Sequence, residues 1–293
     1  MRKGLIFATT LLASCSTVPP TAPDLKNYMP ADINAFTASN PVVREAYANQ
    51  STVQYGELRL PQGKGPFPVA MLVHGGCWAN LGSIANMGPI ADWLADHGVA
   101  TWNVDYRELK NGGGWPETYV DWAAGLSYLQ GLSRRYPLDL DRLTVIGHSA
   151  GTTPAVWLGS TDHGDLHVAP GMPRVRAGIL LDGPIDLKEW VGPDENICRS
   201  PVIANLMGGT PAEQPDRYAM VDPRHNPPKM DELLVVVGSL PPPGEGLLAA
   251  IEASGTPVKR VDLDGTSHFN MIVPGTPDFA IIAPELLRVT GGK

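Results

Sequence analysis

"LTVIGHSAG", residues 143–151, decides how this chain folds. A short apolar, partly β-branched run reads as a strand. Gly147 and Gly151 mark a tight turn, and the "AGTTPAVWLG" that follows opens a helix. Ser149 therefore sits where a strand turns sharply into a helix. Larger side chains than glycine would collide where the backbone folds back, and the serine is held in a strained conformation with its hydroxyl exposed. Ser149 is the candidate nucleophile.

Outward from this turn the same unit repeats. Residues 68–76, 98–107, 176–184, 232–239 and 257–265 read as further strands ending in turns, and 84–97, 117–136, 150–160 and 245–254 carry helical spacing of apolar residues. Strands alternating with helices predict an α/β fold with a mostly parallel central sheet and helices on both faces. Continuous apolar runs such as Leu233 to Val237 suit strands covered on both sides. Residues 185–228 break the rhythm with closely spaced prolines. They are expected to form an insertion over the carboxyl ends of the strands, where ligands bind in open α/β sheets.

A second chemical signal is His74-Gly75-Gly76-Cys77-Trp78, at the end of an earlier strand. An acyl-transfer intermediate carries an oxyanion, which is stabilised by N–H groups already aimed at it. The amides of Gly76, Cys77 and Ala150 are the expected donors, with Gly75 permitting the turn and His74 orienting the loop. The succession of H-G-G-x-W, "DYR" after the next strand (105–107) and G-H-S-A-G resembles the α/β-hydrolase fold. Within it, the esterase and arylformamidase-like branch related to hormone-sensitive lipase is the best match, over roughly residues 53–290.

That resemblance implies a serine hydrolase cleaving carboxylic esters or aryl formamides, with a triad in the order Ser, acid, His. His268, after the last strand, is the expected general base. The acid is where this sequence departs from the pattern. An aspartate is expected in the loop after Gly238, yet the loop runs Ser239-Leu240-Pro241-Pro242-Pro243-Gly244-Glu245. Glu245 is the first candidate and Asp182, just past the preceding strand, the second, because some lipases take the acid there. A solvated Glu245 at a helix start is an equally good reading. Asp262 and Asp264 are assigned to the last strand. A catalytically weak envelope protein acting in binding, and a peptidase or transacylase, remain alternative readings.

Composition narrows the partners. A net charge of -8 without a basic cluster gives a polyanion no footprint, so nucleic acid is excluded. The one H-x-x-x-H, His163 to His167, falls in a polar loop and not on a helix face, and no C-x-x-C pattern or glycine-rich phosphate loop occurs, so neither a metal nor a cofactor is expected. A small-molecule ester or amide is the expected substrate, with Trp78, Trp115 and Trp190 either lining an apolar pocket or serving as core.

The N-terminus adds an address. Arg2 and Lys3 precede an apolar run that ends at Ser14, too short to cross a membrane and shaped like a secretory signal. Leu12-Ala13-Ser14-Cys15 resembles the bacterial lipobox, which implies cleavage after residue 14 and lipidation of Cys15. A membrane anchor through lipid alone follows, with Ser16 directing the protein to the outer membrane, facing the periplasm. Residues 15–50 are expected to be a proline-containing tether and 51–293 the catalytic domain. Cys77 and Cys198 then remain as an even pair in an exported chain, where a disulfide and two buried thiols are both open.

Overall fold

The computed structural model describes residues 27–36, 39, 41–164, 166, 171–263 and 268–293. Cys15 and the signal-like segment lie outside the described residues. Eight strands form one sheet: β1 (Val43–Ala46), β2 (Tyr55–Arg59), β3 (Phe67–Val73), β4 (Ala100–Val104), β5 (Leu138–His148), β6 (Ala177–Leu181), β7 (Glu232–Val237) and β8 (Val258–Asp262). Their order is β1-β2-β4-β3-β5-β6-β7-β8. β1 pairs with β2 and β2 with β4 antiparallel, and the pairings from β4–β3 to β7–β8 are all parallel.

Around the sheet stand α1 (Pro30–Asn34), α2 (Gly88–Asp96), α3 (Glu117–Ser133), α4 (Thr152–Trp157), α5 (Leu187–Trp190), α6 (Pro193–Cys198), α7 (Val202–Met207), α8 (Pro215–Val221), α9 (Glu245–Ala253) and α10 (Pro277–Thr290). Every residue of β3 is buried, which explains its uninterrupted apolar sequence. Two cores result. One face packs Leu126 and Leu129 of α3, Trp157 of α4 and Ile251 of α9 against the sheet, and the other packs Ile90 and Leu94 of α2 with Ile282 and Leu286 of α10. This is the expected α/β-hydrolase architecture.

One expectation about extent is revised. The boundary expected at residue 51 moves towards the N-terminus, because Val43 to Ala46 pair with Leu58 to Tyr55 as the edge of the sheet, and α1 reaches the molecule through Asn86, whose Nδ2 donates to Asn34 Oδ1 at 3.0 Å. Short edge segments bury only alternate residues, so a proline-containing stretch hides them. The proline-rich insertion, by contrast, is helical: its prolines open helices, with Pro193 and Pro215 in the first turn of α6 and α8, where a missing N–H costs nothing.

Candidate active site

Ser149 follows β5 directly, in a short 3-10 turn, with φ of 55°. The glycines around it are obligatory. A Cβ on Gly147 would stand 1.8 Å from the carbonyl oxygen of Gly151, and one on Gly151 2.2 Å from that of Val73. Gly75 of the oxyanion loop faces the serine itself: a Cβ there would lie 2.5 Å from Ser149 Cβ and 3.2 Å from Oγ. The amides of Gly76, Cys77 and Ala150 find no acceptor among the described residues. Left-handed backbone is costly for residues with a side chain, and Cys77 (57°), Trp78 (51°), Ser149 and Asp182 (50°) all adopt it. Such strain gathers where a constellation is held for function.

His74 plays the orienting part expected of it. Its Nδ1 lies 2.6 Å from the Gly75 carbonyl and its Nε2 3.1 Å from Asp105 Oδ1, while Tyr106 donates its hydroxyl to the His74 carbonyl at 2.8 Å. Burial opposes a charge on this ring, but the Asp105 hydrogen bond and the Asp105 and Glu108 charges raise its pKa above the ordinary histidine value. Two donated bonds require the imidazolium, which fits that direction. Glu108 is itself buried, and burial lifts it to about 7 against the attraction of His74.

The carboxylate paired with His268 is that of Asp182. Nδ1 of His268 lies 2.8 Å from Asp182 Oδ2. Glu245, the first candidate, is replaced at this position by the second. The physical reason is in the loop after β7. Its prolines carry no aspartate, and its amides instead turn onto Asp182: the N–H groups of Gly238 (2.8 Å), Ser239 (3.1 Å) and Leu240 (3.2 Å) all donate to that carboxylate. Burial pushes Asp182 up, yet the His268 bond and charge together with the Gly238 amide hold it below the ordinary aspartate range. A Cβ on Gly238 would sit 2.9 Å from Asp182 Oδ2, so the glycine is what lets the loop close on it.

His148 has a role the sequence did not reveal. Its Nε2 donates to the His268 carbonyl at 2.9 Å, and the two rings lie 4.5 Å apart. Burial and the neighbouring His268 push His148 down to about 3, so it stays neutral and holds the His268 backbone without adding charge. Only its position beside Ser149 hinted at this.

Cys77 and Cys198 are joined in a disulfide spanning 121 residues, which settles the open choice between bridge and thiols. The bridge ties the oxyanion loop to α6 of the insertion. Two cavities meet at Ser149. Trp78 and Trp190 line the inner one, whereas Trp115 packs against Tyr119 and Arg217 elsewhere. The outer one contains His268, Gly75, Gly76 and Cys77, and also Met29 and Pro30 from the N-terminal segment. Among the described residues no cluster of histidine, cysteine or carboxylate is arranged to hold a metal ion.

Residues 57–234 match the family described as BD-FAE, more than half of the chain. The chain belongs to the BD-FAE family. The expected kinship with hormone-sensitive-lipase-like esterases holds at that level. The chain is similar to the versiconal hemiacetal acetate esterase of Dothistroma septosporum, 23% identical over 261 residues that take in 82% of this chain and 77% of the relative. Among solved structures it is similar to a bifunctional GH43-CE protein of Bacteroides eggerthii, with a TM-score of 0.70, 19% identity and 87% of this chain covered. This chain spans 36% of that protein's length. It is also similar to a thermophilic esterase of Thermogutta terrifontis in a butyrate-bound form, at a TM-score of 0.65 and 17% identity over 85% of this chain and 94% of the other.

Proposed function

We propose that this BD-FAE family member is a serine hydrolase that cleaves carboxylic esters through an acyl-enzyme on Ser149. His268 takes the Ser149 proton during attack and returns it to the leaving alcohol. Asp182 holds the imidazole by Nδ1 with Nε2 free for the serine, and the amides of Gly76, Cys77 and Ala150 receive the oxyanion. Water then attacks the acyl-enzyme along the same path. The observation that carries this reading is the Asp182 to His268 bond, made at the end of β6 beside a strained, glycine-bracketed serine. A binding role drew its support from a missing acid, and Asp182 removes that support. The family and the esterase relative favour esters over peptides.

The test is hydrolysis of p-nitrophenyl acetate. Ser149→Ala and His268→Ala are expected to lose kcat by on the order of 10⁴ or more. Full turnover in either variant would overturn the assignment.

We also infer that Cys15 is lipidated and anchors the enzyme in the outer membrane, facing the periplasm, on the strength of the lipobox-like Leu12 to Cys15. Among the described residues no helix is long and apolar enough to cross a membrane. Cells fed an alkyne fatty acid should label the wild-type protein and not Cys15→Ser; equal incorporation into both contradicts the anchor.

A further inference from the structure

The two cavities at Ser149 are unequal, and the catalytic histidine says which is which. A general acid protonates the oxygen of the departing alcohol, so the alcohol must lie on the imidazole side of the serine and the acyl chain on the other. The outer cavity is lined by His268 together with Ser149, and the inner one by Ser149 and Ala150, whose amide serves the oxyanion, without the imidazole. The outer cleft is therefore the alcohol side and the inner pocket the acyl side. This assignment rests on the triad reading above.

Their sizes differ about ninefold. The free volume for water-sized groups is about 30 Å³ in the inner pocket and about 280 Å³ in the outer cleft. A single water needs about 10–15 Å³ on that scale, so the inner pocket holds about two groups of that size. Its walls are Trp78, Trp190, Val202, Ile203 and Leu240 with the Cys77–Cys198 bridge, and Ile197 stands on the border it shares with the outer cleft. Val202 and Ile203 are fully buried against the core and cannot swing aside. Asp194 also borders the pocket, but its oxygens are taken by the amides of Gly192 (3.0 Å) and Ile203 (2.9 Å), which fixes α6 on α7.

The outer cleft is apolar at its mouth. Met29 (58% exposed), Leu81 (55%) and Ile197 (38%) all line it, three of the six large hydrophobic side chains that stand exposed among the described residues. Exposed apolar side chains gathered at one opening, instead of scattered singly, mark the place where an apolar partner is received. Here the partner adjoins the proton donor of the reaction.

We propose that the substrate is a short-chain acyl ester, of acetyl size, on a bulky apolar alcohol. Ser149 Oγ bonds to the acyl carbon as the bond to the alcohol oxygen breaks, and the serine proton passes through His268 to that oxygen. The apolar alcohol leaves through the outer cleft. Water then releases the short carboxylic acid and restores the serine. Ile203 and Val202 set the acyl length, Leu81 and Met29 receive the alcohol, and Ile197 separates the two sides.

The experiment measures kcat/KM on two series of alkyl esters whose leaving groups are all primary alcohols. Cyclohexylmethyl acetate is expected to exceed cyclohexylmethyl octanoate by roughly 100-fold, as a pocket filled after two carbons demands. It is also expected to exceed a 6-O-acetyl methyl glucoside of similar size by about tenfold or more. Ile203→Ala, with Val202→Ala as a second variant should the first not fold, is expected to raise the butyrate-to-acetate ratio about tenfold. Leu81→Ser is expected to lower the ratio of cyclohexylmethyl acetate to 6-O-acetyl methyl glucoside through KM. Equal rates on acetate and octanoate, or preference for the sugar ester, overturn the proposal while fluorophosphonate labelling of Ser149 leaves the catalytic reading standing. Absence of that labelling overturns both.

Discussion

At the scale of single residues the site depends on atoms that have little room to move. Gly238 is the clearest case: an added Cβ meets Asp182 Oδ2 at 2.9 Å and the Met271 methyl at 2.5 Å. Gly238→Ala is expected to displace the three amides from the carboxylate and lower kcat by about 10 to 100-fold with KM within twofold, since orientation of the base matters in the transition state. Steady-state kinetics on one ester decide it, and a change confined to KM contradicts it. Glu108 offers a test on stability. Its folded pKa stands near 7 against an ordinary 4.5, with Oε1 buried and unpartnered among the described residues. An acid raised in this way costs stability as pH climbs from 4.5 through 7, because the unfolded chain ionises first. Glu108→Gln should then match the wild type near pH 4 and exceed it above pH 7 by an amount on the order of 3 kcal/mol at most, the attraction of His74 being already contained in the folded pKa. Urea unfolding at pH 4.5 and pH 8 measures the difference; a variant less stable at pH 8 contradicts the burial argument. Ser149, His268 and the oxyanion glycines were legible because their chemistry is local, a strained turn that only glycines permit. Asp182 was legible only as an alternative, since its claim rests on three amides 56 to 58 residues further along the chain.

At the scale of elements, strands β3 to β7 announced themselves as apolar runs, β8 as a mixed run ending in a turn, and α2, α3 and α9 as periodic segments between them. The parts that stayed hidden are short or irregular. β1 at the sheet edge and β2 beside it are short strands with mixed exposure, and the four helices of the insertion are four to seven residues long, too short for a 3.6-residue period to repeat. α10 opens with Thr276 accepting from the Phe279 amide at 3.1 Å, a capping signal that its internal Pro284 obscures. The insertion is secured by the bridge from Cys77 to Cys198 and by Asp194 on α7. Closing a loop of 121 residues removes entropy from the unfolded chain, so Cys198→Ser is expected to cost about 2–4 kcal/mol. Hydrogen exchange should quicken in 193–207 more than in β3 to β7. Uniform acceleration across the sheet, or no change anywhere, contradicts a local tie.

At the scale of the whole molecule, the carboxyl ends of β5 and β6 carry Ser149 and Asp182, the loop after β8 carries His268, and the N-terminal segment returns to the same end. Tyr28 donates its amide to Asn270 Oδ1 at 3.0 Å, and Met29 and Pro30 border the cleft. All of this depends on Ser149 being activated by a histidine that Asp182 orients. The direct measurement is the second-order rate of fluorophosphonate labelling, read by intact-protein mass. The wild type should gain one adduct and Ser149→Ala none. Asp182→Asn should react slower by on the order of 10³ to 10⁴, and Glu245→Gln at the wild-type rate. Undiminished labelling of Asp182→Asn alongside a crippled Glu245→Gln would contradict the account.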